Sequence, residues 1–306
     1  MRSIILAGSQ NKWLREQAPK YGFIRKAVSR FMPGEKVEDA IEAARTLEQN
    51  RIGTVFTQLG ENISDESEAD AVRAHYIDVL DKISLLNLPT EISVKPTQLG
   101  LDLSAELCYQ HLKNIIEHAD SNSVVWIDME DSSYVDATLD LYRRVRAEFH
   151  NVGVCIQAYL YRTEEDLESM MSISPNIRLV KGAYREPADR AFPRKQDVDE
   201  NYFKLAKRLL SEEARKRGVR AAMATHDQNL IRRIEEFATS SGISKDKVEF
   251  QMLYGIQRGE QQRLAREGYR SIVLISYGDY WYPWFMRRLA ERPANVMFVV
   301  KNLFGD

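Results

Sequence analysis

Two hydrophobic rhythms divide the chain. Up to about residue 50 the pattern is helical. The segment VEDAIEAARTLEQN sets Val37, Ala40, Ile41, Ala44 and Leu47 on one face, at i, i+3, i+4 spacing. After that, short β-branched runs alternate with amphipathic helical stretches. The runs are GTVFTQLG, EISVKPT, VVWIDME, VGVCIQAY, IRLVKGAY, RAAMATH, VEFQML and SIVLISYG; SAELCYQHLKNIIEHA and DENYFKLAKRLLSEEARKR are two of the helical stretches between them. Strands separated by helices need crossover connections, which predicts a parallel sheet. Eight such units in 306 residues predict an α/β fold closed into a barrel, although an open doubly wound sheet shares the local alternation. The expected organisation is one domain, with a helical segment over about 1–50 and the β/α barrel over about 51–306.

The polar residues that end the apolar runs favour the barrel. They are Gln58, Lys95, Asp128 with Glu130, Gln157, Lys181, His226, Gln251 and Tyr277. Buried inside a packed barrel without partners, such groups would be costly. At the C-terminal rim they can converge on a ligand, where barrel enzymes place their chemistry. The longest irregular stretch, REPADRAFPRKQDV, follows the fifth run and is expected to lie over that rim.

Composition narrows the classes. Hydrophobic residues at 44% suffice for a sizeable core, and a net charge of −2 gives no reason to expect a nucleic-acid or general lipid binder. Cys108 and Cys155 lie far apart without metal-ligand spacing, so neither a disulfide framework nor a zinc cluster is expected. No metal site is expected at all. The apolar run of MRSIILAGSQ is too short for a signal-peptide core or a membrane span. A cytoplasmic protein is the expectation, with peripheral membrane contact left open. P-loop, zincin, nucleophile-elbow and Rossmann fingerprints are all missing. Of the five histidines only His226 ends a strand; His75, His111, His118 and His150 read as packed or solvated.

Two segments carry chemistry. IRLVKGAYREP, residues 177–187, puts Arg178 and Lys181 on one strand, followed by Gly182 and Ala183. Small residues there let backbone approach a flat or phosphorylated ligand, while the spacing alone equally fits a strand with solvated cations. YWYPWFMRRLAERP, residues 280–293, puts Arg287 and Arg288 side by side on a helix, pointing about 100° apart. They could bracket one carboxylate, or form local ion pairs with Glu291.

SVKPTQLGLDLSAELCY, IDMEDS, IQAYLYRT, RLVKGAY, AFPRKQDVDENY, ATHD, FQMLYGI and WYPWFMRRLAERPANV, in that order, resemble the monofunctional bacterial proline dehydrogenases. The resemblance runs from about residue 50 to the C-terminus. It implies a distorted (βα)8 TIM barrel with N-terminal helices and a final helix over the mouth. It also implies noncovalent FAD, a small cyclic amino acid as substrate, oxidation of proline to Δ1-pyrroline-5-carboxylate, and a quinone or other electron acceptor. By the same resemblance, Lys95, Arg287 and Arg288 hold the substrate carboxylate, and Asp128 is an active-site acid beside Lys95. Arg178 faces the flavin N5 locus. Met129, Gln157, Val180, Lys181, Gly182, Ala183, Thr225, His226, Gln251 and Glu291 contact the flavin. Leu253 is an apolar wall, and Glu61 pairs with Arg287 as a gate.

The sequence departs from the family at two places. Leu274, in VLISYG, and Trp284, on the last helix, stand where the family usually has tyrosines. The changed ring pocket raises an alternative, the same chemistry on a substituted or different cyclic imino acid. A flavin-binding protein without turnover is a third reading.

Overall fold

A computed structural model describes residues 28–60, 63–282 and 285–286. Helix α1 (Val37–Glu48) precedes β1 (Gly53–Gln58), α2 (Glu66–Leu85), β2 (Thr90–Val94), α3 (Ala105–His118), β3 (Val125–Ile127), α4 (Val135–Arg146) and β4 (Val152–Gln157). There follow α5 (Thr163–Met170), β5 (Asn176–Val180), α6 (Lys195–Leu209), α7 (Glu212–Lys216), β6 (Arg220–Ala224), α8 (Gln228–Ser240), β7 (Glu249–Leu253), α9 (Arg258–Arg266) and β8 (Arg270–Tyr277). The strands form a closed barrel in chain order, every neighbouring pair parallel. Closure runs along β1 and β8, from Gly53 against Ile272 to Gln58 against Tyr277. This resolves the choice between barrel and open sheet.

The helices form because their apolar residues recur on one face and their ends are satisfied. In α8 the buried residues are Leu230, Ile231, Ile234 and Ala238, and the Asp227 side chain caps the helix by accepting from the Asn229 amide. Asp65, Ser104 and Ser211 cap α2, α3 and α7 in the same way. The main core lies between the sheet's outer face and these helices. The apolar cluster inside the barrel is small: Val55, Val124, Trp126, Ala222 and Ile272, with Leu274 packed on it. Polar and charged side chains, among them Ser93, Arg178, Glu249 and Gln251, are buried as well, and Arg220 is half-buried beside them.

Two expectations need correction. The helical reading fails over 29–36, where turns and bends precede α1; Pro33 and Gly34 suit that irregular backbone. The predicted irregular stretch after β5 is also shorter than expected, because its KQDV end is the first turn of α6.

The first and last described segments meet. Val28 and Met32 pack with Leu59, Trp281, Tyr282 and Phe285, and the Trp281 indole donates to Glu35 at 2.9 Å. Gly255 has φ +77°, and a Cβ there would stand 1.5 Å from the Arg30 carbonyl oxygen. The N-terminal segment therefore crosses the β7–α9 loop at close quarters.

Candidate active site

A cavity of about 700 Å³ opens at the C-terminal ends of the strands, and all eight strands or the turns directly after them line it. Lys95, Asp128, Met129, Gln157, Arg178, Val180, Lys181, Gly182, Ala183, Thr225, His226, Gln251, Leu253 and Leu274 all line this one cavity. Glu61, Trp284, Arg287, Arg288 and Glu291 lie outside the described residues.

The floor is built around Asp128. Its Oδ1 accepts from Ser93 Oγ at 2.7 Å, Arg178 Nη1 at 3.0 Å and the Cys155 thiol at 3.7 Å. Its Oδ2 faces Lys95 Nζ at 3.5 Å. Burial pushes the Cys155 thiol up to about 12, so it stays protonated and can donate. Arg178 is 2% exposed, and its guanidinium lies over the Trp126 ring at 4.6 Å. Among the described residues only Nη1 has hydrogen-bond partners; Nε and Nη2 are buried without one. Buried polar groups are rarely left so, and an unmet guanidinium donor beside a cavity points to a ligand acceptor.

Two glutamines add acceptors. Gln157 Nε2 donates to the Glu130 carbonyl at 2.8 Å, and Gln251 Nε2 donates to Glu249 at 2.7 Å. Both Oε1 atoms are buried and have no partner among the described residues. His226 Nε2 accepts from the Leu253 amide at 2.9 Å, which puts the ring proton on Nδ1.

A charge-balanced quartet stands beyond the ends of β5 and β6, at the start of α6. Lys181 Nζ lies 2.5 Å from Asp199 and 2.8 Å from Asp227, and Lys195 pairs with the same two carboxylates. Burial alone would raise the Asp227 carboxyl, but hydrogen bonds and charge from Lys181 and Lys195 win and hold it well below the usual range. Gly182 has φ +111°, and a Cβ there would meet the Tyr159 ring at 2.4 Å. Backbone conformation and an internal neighbour thus demand this glycine, whatever approaches from the cavity.

Three of the polar strand ends do not reach the cavity. Tyr277 bonds His75 of α2 at 2.8 Å, and Glu130 accepts from the Thr97 amide and hydroxyl at 3.0 and 2.7 Å. Gln58 is likewise absent from the lining, and its place and that of Tyr277 are taken by Thr57 and Ser276. Side chains alternate along a strand, so the residue before the polar one faces inward. Sequence reasoning also missed Ser93, Cys155, Lys195, Asp199 and Asp227. Asp227 ends ATHD, and Lys195 and Asp199 stand in AFPRKQDVDENY, so the strings that carried the resemblance held that signal.

A family model described as "Proline dehydrogenase" matches residues 40–301. The chain belongs to the proline dehydrogenase family. It is 42% identical over 305 residues to "Proline dehydrogenase 1" of Bacillus subtilis strain 168, covering 99% of both chains. It is 39% identical over 280 residues to "Proline dehydrogenase" of Deinococcus radiodurans, covering 90% of this chain and 89% of that one. Among solved structures, proline utilization A from Bdellovibrio bacteriovorus, inactivated by N-propargylglycine, aligns with a TM-score of 0.80 at 25% identity. That match covers 92% of this chain and 34% of the other, so the chain spans about a third of that protein. The barrel is thus the family's, and its members are oxidoreductases. No helix among the described residues is long and apolar enough to cross a membrane.

Proposed function

We propose that this chain oxidises L-proline to Δ1-pyrroline-5-carboxylate with noncovalently bound FAD. The observation that carries the reading is the contact of Lys95, Asp128 and Arg178 on one cavity floor, in a chain 42% identical along its length to a proline dehydrogenase. The cavity's volume falls in the range of cofactor and ligand sites. Its unmet groups fit a flavin, a ring with both acceptors and an N–H donor: Arg178 offers donors, and Gln157 and Gln251 offer acceptors. FAD, when bound, would accept the hydride leaving carbon 5 of proline, with a quinone as the onward electron acceptor.

The chain's own residues would bind and orient. Lys95, with Arg287 and Arg288 from outside the described residues, would take the substrate carboxylate, a planar group that suits guanidinium forks. Met129, Gln157, Val180, Lys181, Gly182, Ala183, Thr225, His226, Gln251 and Glu291 would hold FAD. Asp128 is poorly suited to act as a base, since its Oδ1 already accepts three donors and its Oδ2 faces Lys95. Its role is orientation and charge balance, and the amine proton leaves to water. A Glu61–Arg287 pair would close the mouth and exclude water.

A second reading, turnover of a ring-substituted proline, is favoured by Leu274. This half-buried side chain lines the cavity beside Leu253, its register partner on β7. With leucine there, the wall lacks the ring and hydroxyl of a tyrosine. One experiment tests both readings. The protein is loaded with FAD and its flavin absorbance followed anaerobically with proline and with 4-hydroxyproline. Bleaching by proline supports the first reading; a specificity constant larger for 4-hydroxyproline favours the second. A folded protein that takes up no FAD, or whose FAD neither substrate bleaches, sinks the proposal.

A further inference from the structure

Ser93 lies on β2, two residues before Lys95, and is fully buried. Its hydroxyl stands 2.7 Å from Asp128 Oδ1 and 2.9 Å from Arg178 Nη1. A guanidinium can only donate and a carboxylate only accept. The single hydroxyl proton is therefore committed to Asp128, and a lone pair faces Arg178. With the direct Arg178–Asp128 contact of 3.0 Å, the three groups close a triangle. The Trp126 carbonyl, the other acceptor near this hydroxyl, is farther away at 3.5 Å.

The triangle decides how Arg178 sits. Ser93 and Asp128 hold one edge of the guanidinium at Nη1, and Trp126 covers a face. Nε and Nη2 are then left without partners among the described residues. A buried arginine beside a carboxylate ordinarily turns two nitrogens onto it, the strong bidentate arrangement. Here the Ser93 proton occupies Oδ1, and its lone pair draws Nη1 away from that fork. We propose that Ser93 is a positioning residue, whose hydroxyl keeps Arg178 from forking onto Asp128 and so reserves two of its nitrogens for the cavity. The proposal rests on the reading of this cavity as the site of flavin-dependent proline oxidation.

The test compares Ser93→Ala with the wild-type, FAD-loaded protein. In a crystal structure of the variant, Arg178 should engage Asp128 through two nitrogens. The rate of anaerobic flavin bleaching at saturating proline should fall at least about tenfold, the scale of one charge-assisted hydrogen bond. KM should change less, because Arg178 acts on the cofactor side. Added to Arg178→Lys, Ser93→Ala should cost less than about threefold, since the two act as one unit. Ser93→Thr, which retains the hydroxyl, should recover most of the rate. If the alanine variant does not fold, Ser93→Cys keeps the volume with a weaker hydrogen-bonding group and should show the same changes in smaller degree. An Arg178 that stays put with an unchanged rate overturns the proposal, as does an equal loss in both arginine backgrounds. If proline fails to bleach the wild type yet Arg178 swings in the variant structure, the functional reading fails and the positioning role stands.

Discussion

Arg220 and Arg178 lie inside the same barrel on adjacent strands, with the Trp126 ring 5.1 Å from one guanidinium and 4.6 Å from the other. Their surroundings are opposite. Arg220 is forked between two carboxylates, Glu91 at 2.5 and 3.1 Å and Glu249 at 3.0 and 3.0 Å, and the Trp126 indole donates to Glu91 at 2.7 Å. Burial works against its charge, but Glu249 and Glu91 outweigh that and raise its pKa. Arg178, nearer the C-terminal rim, has a single engaged nitrogen and two unmet ones. A satisfied buried charge holds the barrel together; an unsatisfied one costs stability and is kept where a ligand can complete it. The two arginines mark a closed end and a working end, and the Trp126 ring contacts both.

The sharpest way to break this contrast is to replace each arginine by methionine. Arg220→Met removes the cation that Glu91 and Glu249 share, leaving Glu249 the more exposed Arg270 at 3.4 Å, and should cost about 3–5 kcal/mol of stability. Arg178→Met removes two unmet donors and leaves Asp128 with Ser93 and Lys95, so its denaturation midpoint should stay far closer to wild type. Equal losses in denaturant titrations would show that both ends are structural.

A smaller effect is expected at Trp126. Gly153 on β4 faces Trp126: a Cβ would stand 2.6 Å from Cε3, with Asn176 Cβ at 3.2 Å on another side. Gly153→Ala should cost about 1–3 kcal/mol through overpacking. Because the indole touches both arginines, the variant should also lose catalytic rate. A variant with reduced stability and a full rate would sever Trp126 from the working end.

The smallest effect lies at the rim. The folded-state pKa of Asp227 is depressed below its ordinary 3.8, so its stabilising contribution is present above that pH and is lost as pH falls through the folded value. Melting temperature should therefore drop on acidification below about pH 4. Asp227→Asn retains a cap for α8 but removes the charge, and should show a shallower acid slope. Parallel slopes for the two proteins would show that the quartet adds nothing measurable.

The sequence by itself determined the succession of eight strands along the chain, the parallel sheet and many of the residues that line the cavity. Hydrophobic period is a local property, and a chain-ordered β/α alternation leaves few topologies. The family strings then named Lys95, Asp128 and Arg178 together. Tertiary structure alone decided the rest. Which polar strand ends turn inward follows from strand alternation and from partners far along the chain: Tyr277 goes to His75, Glu130 to Thr97. Ser93 and Cys155 read as ordinary small residues within apolar runs, and only the pairing of β2 and β4 with β3 brings them onto Asp128. Gly153 and Gly182 look alike in sequence as well. One makes room for the indole of its register partner on β3, and the other takes a positive φ against Tyr159. Likewise nothing local distinguishes Arg178 from Arg220; what separates them is the count of carboxylates each meets, a property of the closed barrel and not of either strand.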